Sequence, residues 1–215
     1  MIKFKRRLSL KQYMPKKPIK RGYKVWMRCD SSGFACEFQI YTGKTEEVER
    51  NLGERVIRNL SQKLLGKNHV LFFDNYFTSY DLLKHLETQN ITACGTVNMS
   101  RKKLPKNLLG GQKMKQETLT GVLACDIACI KWKDKRIVHI LATLDEATKS
   151  CEIEKKEKDG KKIKIACPKA VIRIWKNYNR NMGYVDHFDQ LKSMYDIDRK
   201  SKKWWHRIFF LFFFI

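Results

Sequence analysis

A chain of 215 residues suits one domain, with room for an inserted subdomain. Its 43% hydrophobic content is enough for a core and excludes wholesale disorder. Lys and Arg number 45 against 22 acids, a formal charge of +23, and a field of that size repels itself unless a polyanion neutralises it; nucleic acid is the leading partner class, an anionic membrane the second, and simple solubility the plain alternative.

Residues 1–30 hold eleven Lys and Arg against one acid, Asp30. The first 22 read as irregular, punctuated by Pro15, Pro18 and Gly22. Phe4, Tyr13, Tyr23 and Trp26 sit among these cations, the mixture expected of a surface that holds phosphates and stacks on bases. Lys24–Cys29 and Phe34–Tyr41 read as two strands joined by a turn at Asp30-Ser31-Ser32-Gly33. Leu52, Val56, Leu60 and Leu64 recur every four residues, which predicts an amphipathic helix over 52–65. His69–Phe73 is an apolar run suited to a buried strand, ending on Asp74. A helix from about Ser79 to Gln89 carries Leu82, Leu83 and Leu86 on one face, and Ile91–Val97 is another strand. The first hundred residues therefore read β-β-α-β-α-β, a layered α/β arrangement.

Around Ser100 the texture changes. Ile127–Trp132 and Ile137–Leu144 alternate polar and apolar residues, and Glu152–Lys164 is a charged run expected to form a solvated hairpin or loop. Residues 100–169 read as an inserted β-rich subdomain, between a first part at 1–99 and a helical part at 170–215 broken near Asn181-Met182-Gly183. Residues 199–207 carry five more cations and no acid, with Trp204 and Trp205 among them; base stacking and a core anchor are equal readings for these rings. The tail Ile208–Ile215 is uncharged and too short for a membrane span, which needs about 20 residues as a helix. It reads as the start of a longer helix, and as an aggregation hazard where exposed. Seven Cys, with no apolar run behind the basic N-terminus to mark a signal peptide, favour reduced thiols in nucleus or cytosol. Cys125 and Cys129 have C-x3-C spacing, but no His pair stands at finger spacing, so buried thiols are favoured over zinc.

Two features could carry chemistry. Asp74 ends a buried strand, the place where α/β folds open onto ligands, although a carboxylate there also serves simply to turn the chain. Asp186 and Asp189, three residues apart on a helix, share a face and follow Gly183 at a helix start, where a negative charge is favoured. Hard divalent cations such as Mg²⁺ take oxygen ligands, usually one or two carboxylates with phosphate and water. A strand-end Asp with helix-borne Asps in a basic α/β chain fits two-metal phosphoryl transfer on nucleic acid.

Leu71-Phe-Phe-Asp74-Asn75-Tyr76-Phe77-Thr78-Ser79 resembles the second-aspartate motif of piggyBac transposases, whose catalytic domain has the RNase H-like DDE transposase/integrase fold. Tyr178-Asn179-Arg-Asn-Met-Gly183-Tyr-Val-Asp186-His-Phe-Asp189-Gln190 resembles their third-aspartate motif. Lys11-Gln-Tyr-Met-Pro-Lys-Lys-Pro18, Lys24-Val-Trp-Met-Arg-Cys-Asp30 and Asp198-Arg-Lys-Ser-Lys-Lys-Trp-Trp-His-Arg207 add to the match, which runs from Met1 to about Phe210. The resemblance implies that Asp74 and Asp186 are catalytic and bind metal, with Asp189 an auxiliary ligand. It implies two Mg²⁺ ions, DNA as partner, no membrane, a homodimer as in intact transposases, and a nuclear location. Lys3, Lys5, Arg6, Arg7 and Lys11, with Arg199, Lys200, Lys202, Lys203 and Trp204, are the candidate DNA contacts.

The sequence also departs from the pattern. The family's first catalytic Asp lies in an Asp-Glu dipeptide just ahead of the segment matching Met1–Lys5, and no acid precedes Asp30 here. The expected fold is thus RNase H-like, truncated at both ends and lacking its first strand, with a β-rich insertion. Arg6 stands where members often carry glycine. The expected function is a fragment of a transposase catalytic domain, inactive alone; the alternative is a domesticated, non-catalytic DNA-binding protein.

Overall fold

A computed structural model describes residues 1–4, 8–43, 51–105, 119–124, 127–133, 137–143, 150–156, 162–194 and 203–215, with backbone only for 119–124, 150–156, 162–173 and 213–214. The chain is mixed α/β and divides into two compact units, 1–60 with 183–215, and 61–182.

The first unit begins with three short strands, β1 (Ile2–Lys3), β2 (Gln12–Tyr13) and β3 (Arg21–Tyr23), antiparallel in the order β1-β3-β2. The expectation that residues 1–22 are irregular is corrected here. Pairings of two or three residues are too short to leave a periodic signal. Gly22 makes the β1–β3 contact feasible, since a Cβ there would sit 1.9 Å from the Ile2 carbonyl oxygen. β4 (Val25–Cys29) and β5 (Ala35–Ile40) form the predicted hairpin, with an irregularity between Arg28 and Cys29. Gly33 at φ +84° closes its turn, a conformation that favours glycine.

One side of β4 offers Val25, Met27 and Cys29 to a cluster of Ile2, Phe4, Tyr23, Ala35, Phe188 and Leu211. Phe188 comes from α4 (Tyr184–Met194) and Leu211 from α5 (Trp204–Phe214). The alternate residue Arg28 donates its Nε–H to the Leu60 carbonyl at 2.9 Å, tying the hairpin to the predicted helix α1 (Leu52–Ser61). Val56, Ile57 and Leu60 of α1 are buried, each worth about 1.5–3 kcal/mol. The Glu54–Arg58 pair on the same helix adds only a few tenths of that. Along α5, Ile208 and Leu211 pack on the cluster while Trp205, Phe209 and Phe212 are exposed. Among the described residues no helix is long and apolar enough to cross a membrane.

The second unit carries a five-stranded sheet of order β6-β7-β10-β9-β8. β6 (Val70–Phe73) and β7 (Thr92–Thr96) are parallel, joined through α2 (Tyr80–Thr88). β8 (Leu119–Ala124), β9 (Ile127–Lys133) and β10 (Ile137–Thr143) continue the sheet antiparallel from β7. Cys94, Ala128, Ile130, Ile140 and Ala142 form one buried face with Ile174 and Tyr178 of α3 (Lys169–Asn181). β11 (Ser150–Lys156) and β12 (Lys162–Pro168) pair as a separate two-stranded sheet spanning the charged run expected to be a hairpin or loop.

Candidate functional site

Asp74 follows the last residue of β6 directly and its side chain is exposed. Its carbonyl accepts from Phe77 N at 3.0 Å and from Thr78 Oγ1 at 3.0 Å, and its Oδ1 accepts from Asn75 N at 2.6 Å. These bonds turn the chain sharply, and Ser79 then caps α2, its Oγ accepting from Leu82 N at 3.2 Å. Gly95 on the neighbouring strand makes room for the turn. A Cβ there would lie 2.4 Å from Thr78 Oγ1 and 2.7 Å from the Phe73 carbonyl oxygen. The carboxylate therefore projects at the C-terminal end of a parallel strand pair, from a turn held by backbone and threonine hydrogen bonds.

Two residues that sequence reasoning did not single out border this turn. Arg101 donates to the Tyr76 carbonyl at 2.7 Å and to that of Asn75 at 3.3 Å. Both acceptors are backbone carbonyls, so these bonds hold the guanidinium against the turn that carries Asp74. The run Arg101-Lys102-Lys103 after a strand was the available signal. Tyr178 on α3 is buried, with its hydroxyl 3.2 Å from Thr96 Oγ1 at the end of β7. Burial pushes its pKa up, the Thr96 bond opposes that shift and the Asp74 charge adds to it. From sequence it enters only as the first residue of the segment resembling the third-aspartate motif, with no role of its own.

Asp186 and Asp189 belong to the first unit, on the first and second turns of α4, and both are exposed. Phe188 between them is buried in the first unit's core, which fixes the helix's rotation and leaves both carboxylates solvent-accessible, Asp189 at the edge of a small cavity against that core. His187 N donates to the Gly183 carbonyl at 2.9 Å, and its ring lies against Gly33, where a Cβ would approach Nδ1 to 2.9 Å. Asp30 is built into the β4–β5 turn. Its Oδ1 accepts from Ser32 Oγ at 2.6 Å, Ser32 N at 2.9 Å and Phe34 N at 3.0 Å, and the Ser32 side-chain bond leads in lowering its pKa. It serves as a turn residue. A cavity of about 40 Å³ lined by Val25, Met27, Phe188, Asp189 and Leu211, among others, has room for little more than a water molecule.

The structure thus brings Asp186 and Asp189 together on one helix and places Asp74 in the other unit. Among the described residues no group of three His, Cys, Asp or Glu side chains is arranged to hold a metal ion. The donor chemistry is nonetheless that of a hard divalent cation, being exposed carboxylate oxygen throughout. Burial pushes the thiols of Cys29 and Cys94 up to about 12 and that of Cys129 to about 11, away from the thiolate a soft metal takes.

Among the candidate DNA contacts, Lys3 is exposed, Lys11 is half-buried, and Lys5, Arg6, Arg7, Arg199, Lys200 and Lys202 lie outside the described residues. Lys203 is exposed at the N-cap of α5 with Nζ 5.8 Å from the Trp205 ring. Trp204 is 44% exposed, and its carbonyl accepts from the Tyr23 hydroxyl at 3.4 Å. Of the N-terminal aromatics, Phe4, Tyr23 and Trp26 are buried and only Tyr13 is presented to solvent. The first three act as core residues.

The family described as Transposase IS4 matches residues 1–215. Human PiggyBac transposable element-derived protein 3 is 30% identical over 220 residues, covering 95% of this chain and 36% of that protein. Human PiggyBac transposable element-derived protein 5 is 25% identical over 212 residues, covering 90% and 38%. The cryo-EM structure of a piggyBac transposase synaptic complex with hairpin DNA superimposes with a TM-score of 0.79 at 27% identity, over 96% of this chain and 41% of that one. The chain therefore spans well under half the length of these relatives. With the match running across all 215 residues, the chain belongs to the Transposase IS4 family, in its piggyBac-type group.

Proposed function

We propose that this chain forms part of an RNase H-like DNA-cleaving and strand-transferring catalytic domain, with Asp74 and Asp186 as catalytic carboxylates and Asp189 auxiliary to Asp186. In this reading residues 1–99 and 170–215 belong to the catalytic part and 100–169 to an insertion. The observation that carries it is Asp74 itself, exposed at the end of β6 from a turn packed so closely on Gly95 that a Cβ there would displace it. DNA is the proposed partner, supported by the +23 charge and by the DNA in the related synaptic complex. A homodimer and a nuclear location are proposed with it.

Asp74, Asp186 and Asp189 are the residues that would hold divalent metal, proposed as Mg²⁺. When bound, such ions stabilise charge on the attacking and leaving oxygens of phosphoryl transfer. The chain's own contribution is positional: the Asp74 turn fixes one carboxylate, α4 fixes two more, and Arg101 offers a cation to a phosphate oxygen beside Asp74. Residues 1–29 contain no Asp or Glu, and this reading assigns the first catalytic carboxylate of the resembled pattern to none of them. We propose that the chain does not cleave DNA by itself.

Titrating the chain with Mn²⁺ by electron paramagnetic resonance tests the assignment. A weak site lost in both Asp74→Asn and Asp186→Asn, and kept in Asp81→Asn, is the expected result. Binding indifferent to Asp74 and Asp186 would overturn the metal roles. Metal-dependent cleavage of labelled duplex by the 215 residues, abolished in Asp74→Ala, would overturn the proposed inactivity.

A further inference from the structure

The loop that joins β2 to β3 presents cations in a fixed arrangement. Lys16, Lys17 and Lys20 are exposed along it, and Arg21 is exposed at the start of β3. Met14 N donates to the Lys20 carbonyl at 2.8 Å and Lys17 N to the Met14 carbonyl at 3.2 Å, so the loop is closed by its own backbone. Pro15 and Pro18 lock φ within it, and Gly22 seats β3 tightly on Ile2. The Arg21 guanidinium carbon lies 5.5 Å from the Tyr13 ring centroid, with Tyr13 62% exposed. A cation over an exposed ring is drawn to the ring's negative face, which biases Arg21 toward one pose without consuming its donors.

Residues 1–29 contain no acid, and the carboxylate that shares the neighbourhood of this group is Asp189, which acts with Lys17 on the Met1 amine. Three lysines on a backbone-closed loop and Arg21 at its end, with Tyr13 against Arg21, form the kind of surface that meets phosphate oxygens. Duplex DNA carries a charge about every 1.7 Å of axis, so a loop of this size faces several phosphates at once. A membrane surface is less well matched, because the only large apolar side chains in the loop, Met14 and Ile19, are half-buried and do not project for insertion.

We infer that the β2–β3 loop, through Lys16, Lys17, Lys20 and Arg21 with Tyr13 supporting Arg21, docks on the sugar–phosphate backbone of duplex DNA. This rests on the reading of the chain as DNA-binding. It assigns the N-terminal contact to residues beyond the Lys3–Lys11 group that charge density alone points to.

The test is fluorescence anisotropy of a labelled duplex across a KCl series, with the full chain. A hairpin variant carries Lys16→Gln, Lys17→Gln, Lys20→Gln and Arg21→Gln. A control variant removes equal charge at exposed sites elsewhere, through Lys63→Gln, Lys67→Gln, Lys176→Gln and Arg180→Gln. Matching thermal melts show that all three proteins are folded. The hairpin variant is expected to bind at least about 10-fold more weakly than the control, with a log–log salt slope flatter by about 0.9 per lost phosphate contact. Equal loss in the two variants would mean that net charge alone acts, and would overturn the docking surface while leaving DNA binding intact. An absence of salt-dependent binding by the unmodified chain would instead overturn the DNA-binding reading. Tighter, loop-dependent binding to polyglutamate or to phosphatidylserine vesicles than to duplex would reassign the surface and sink the inference.

Discussion

At Gly95 the β7 backbone runs so close to the Asp74 turn that a single methyl group would meet Thr78 Oγ1 and the Phe73 carbonyl well inside contact distance. Those atoms belong to the strand and turn that carry Asp74: the Phe73 oxygen is backbone, and Thr78 Oγ1 is a short buried side chain held by its bond to the Asp74 carbonyl. Overpacking of this kind costs about 1–3 kcal/mol. Gly95→Ala is therefore expected to lower the urea midpoint by an amount equivalent to about 2–3 kcal/mol, at the upper end because backbone must move. An unchanged midpoint would mean that the turn has slack. From sequence, an isolated glycine in a strand already marks a close backbone approach, but not the atom approached. Asp74 was legible as the residue ending an apolar run. Arg101 and Tyr178 were not, because their partners at Tyr76 and Thr96 lie 25 and 82 positions away.

The β4–β5 hairpin shows how an element can be predicted while its chemistry is not. Alternating residues and the Asp30–Gly33 turn were enough to place both strands. The role of Asp30 came from geometry, since its carboxylate ties Ser32 and Phe34 into the turn and is held below its usual pKa chiefly by the Ser32 hydroxyl. A carboxylate with a depressed folded pKa contributes stability that is fully present above its unfolded value near about 4, and that is lost as pH falls through the folded value. Asp30→Ala is accordingly expected to melt at a lower temperature than the unmodified chain at pH 7, with the gap closing as pH drops below about 4. A gap that persists undiminished in acid would show that the side chain acts through something other than its charge. The N-terminal sheet was the element missed altogether, because strands of two and three residues carry no periodicity. Its presence rests on Gly22, whose missing side chain admits Ile2.

For the whole chain, a charge of +23 on 215 residues is the dominant electrostatic fact. Like charges destabilise a compact state, and salt shortens their reach from about 30 Å at 0.01 M to about 8 Å at 0.15 M. Raising KCl across that range is expected to raise the thermal midpoint by a few degrees, with duplex DNA at low salt raising it further. A midpoint insensitive to both would contradict the view that this protein is built to be neutralised by a polyanion.

The sequence by itself determined the α/β character, helices expected over 52–65, about 79–89 and from 170 with a break near 181–183, and the candidates: a polyanion as partner class and three carboxylates as site residues, since periodicity, charge and motif spacing are properties of neighbouring residues. Only the tertiary structure decided that β8, β9 and β10 extend the sheet of β6 and β7, and that Phe4, Tyr23 and Trp26 serve the core while Tyr13 faces solvent. It also decided that Arg101 and Tyr178 border the strand ends beside Asp74. Such choices depend on which distant segments pair and which faces they bury, and those are settled by packing between residues that have no local signature of each other.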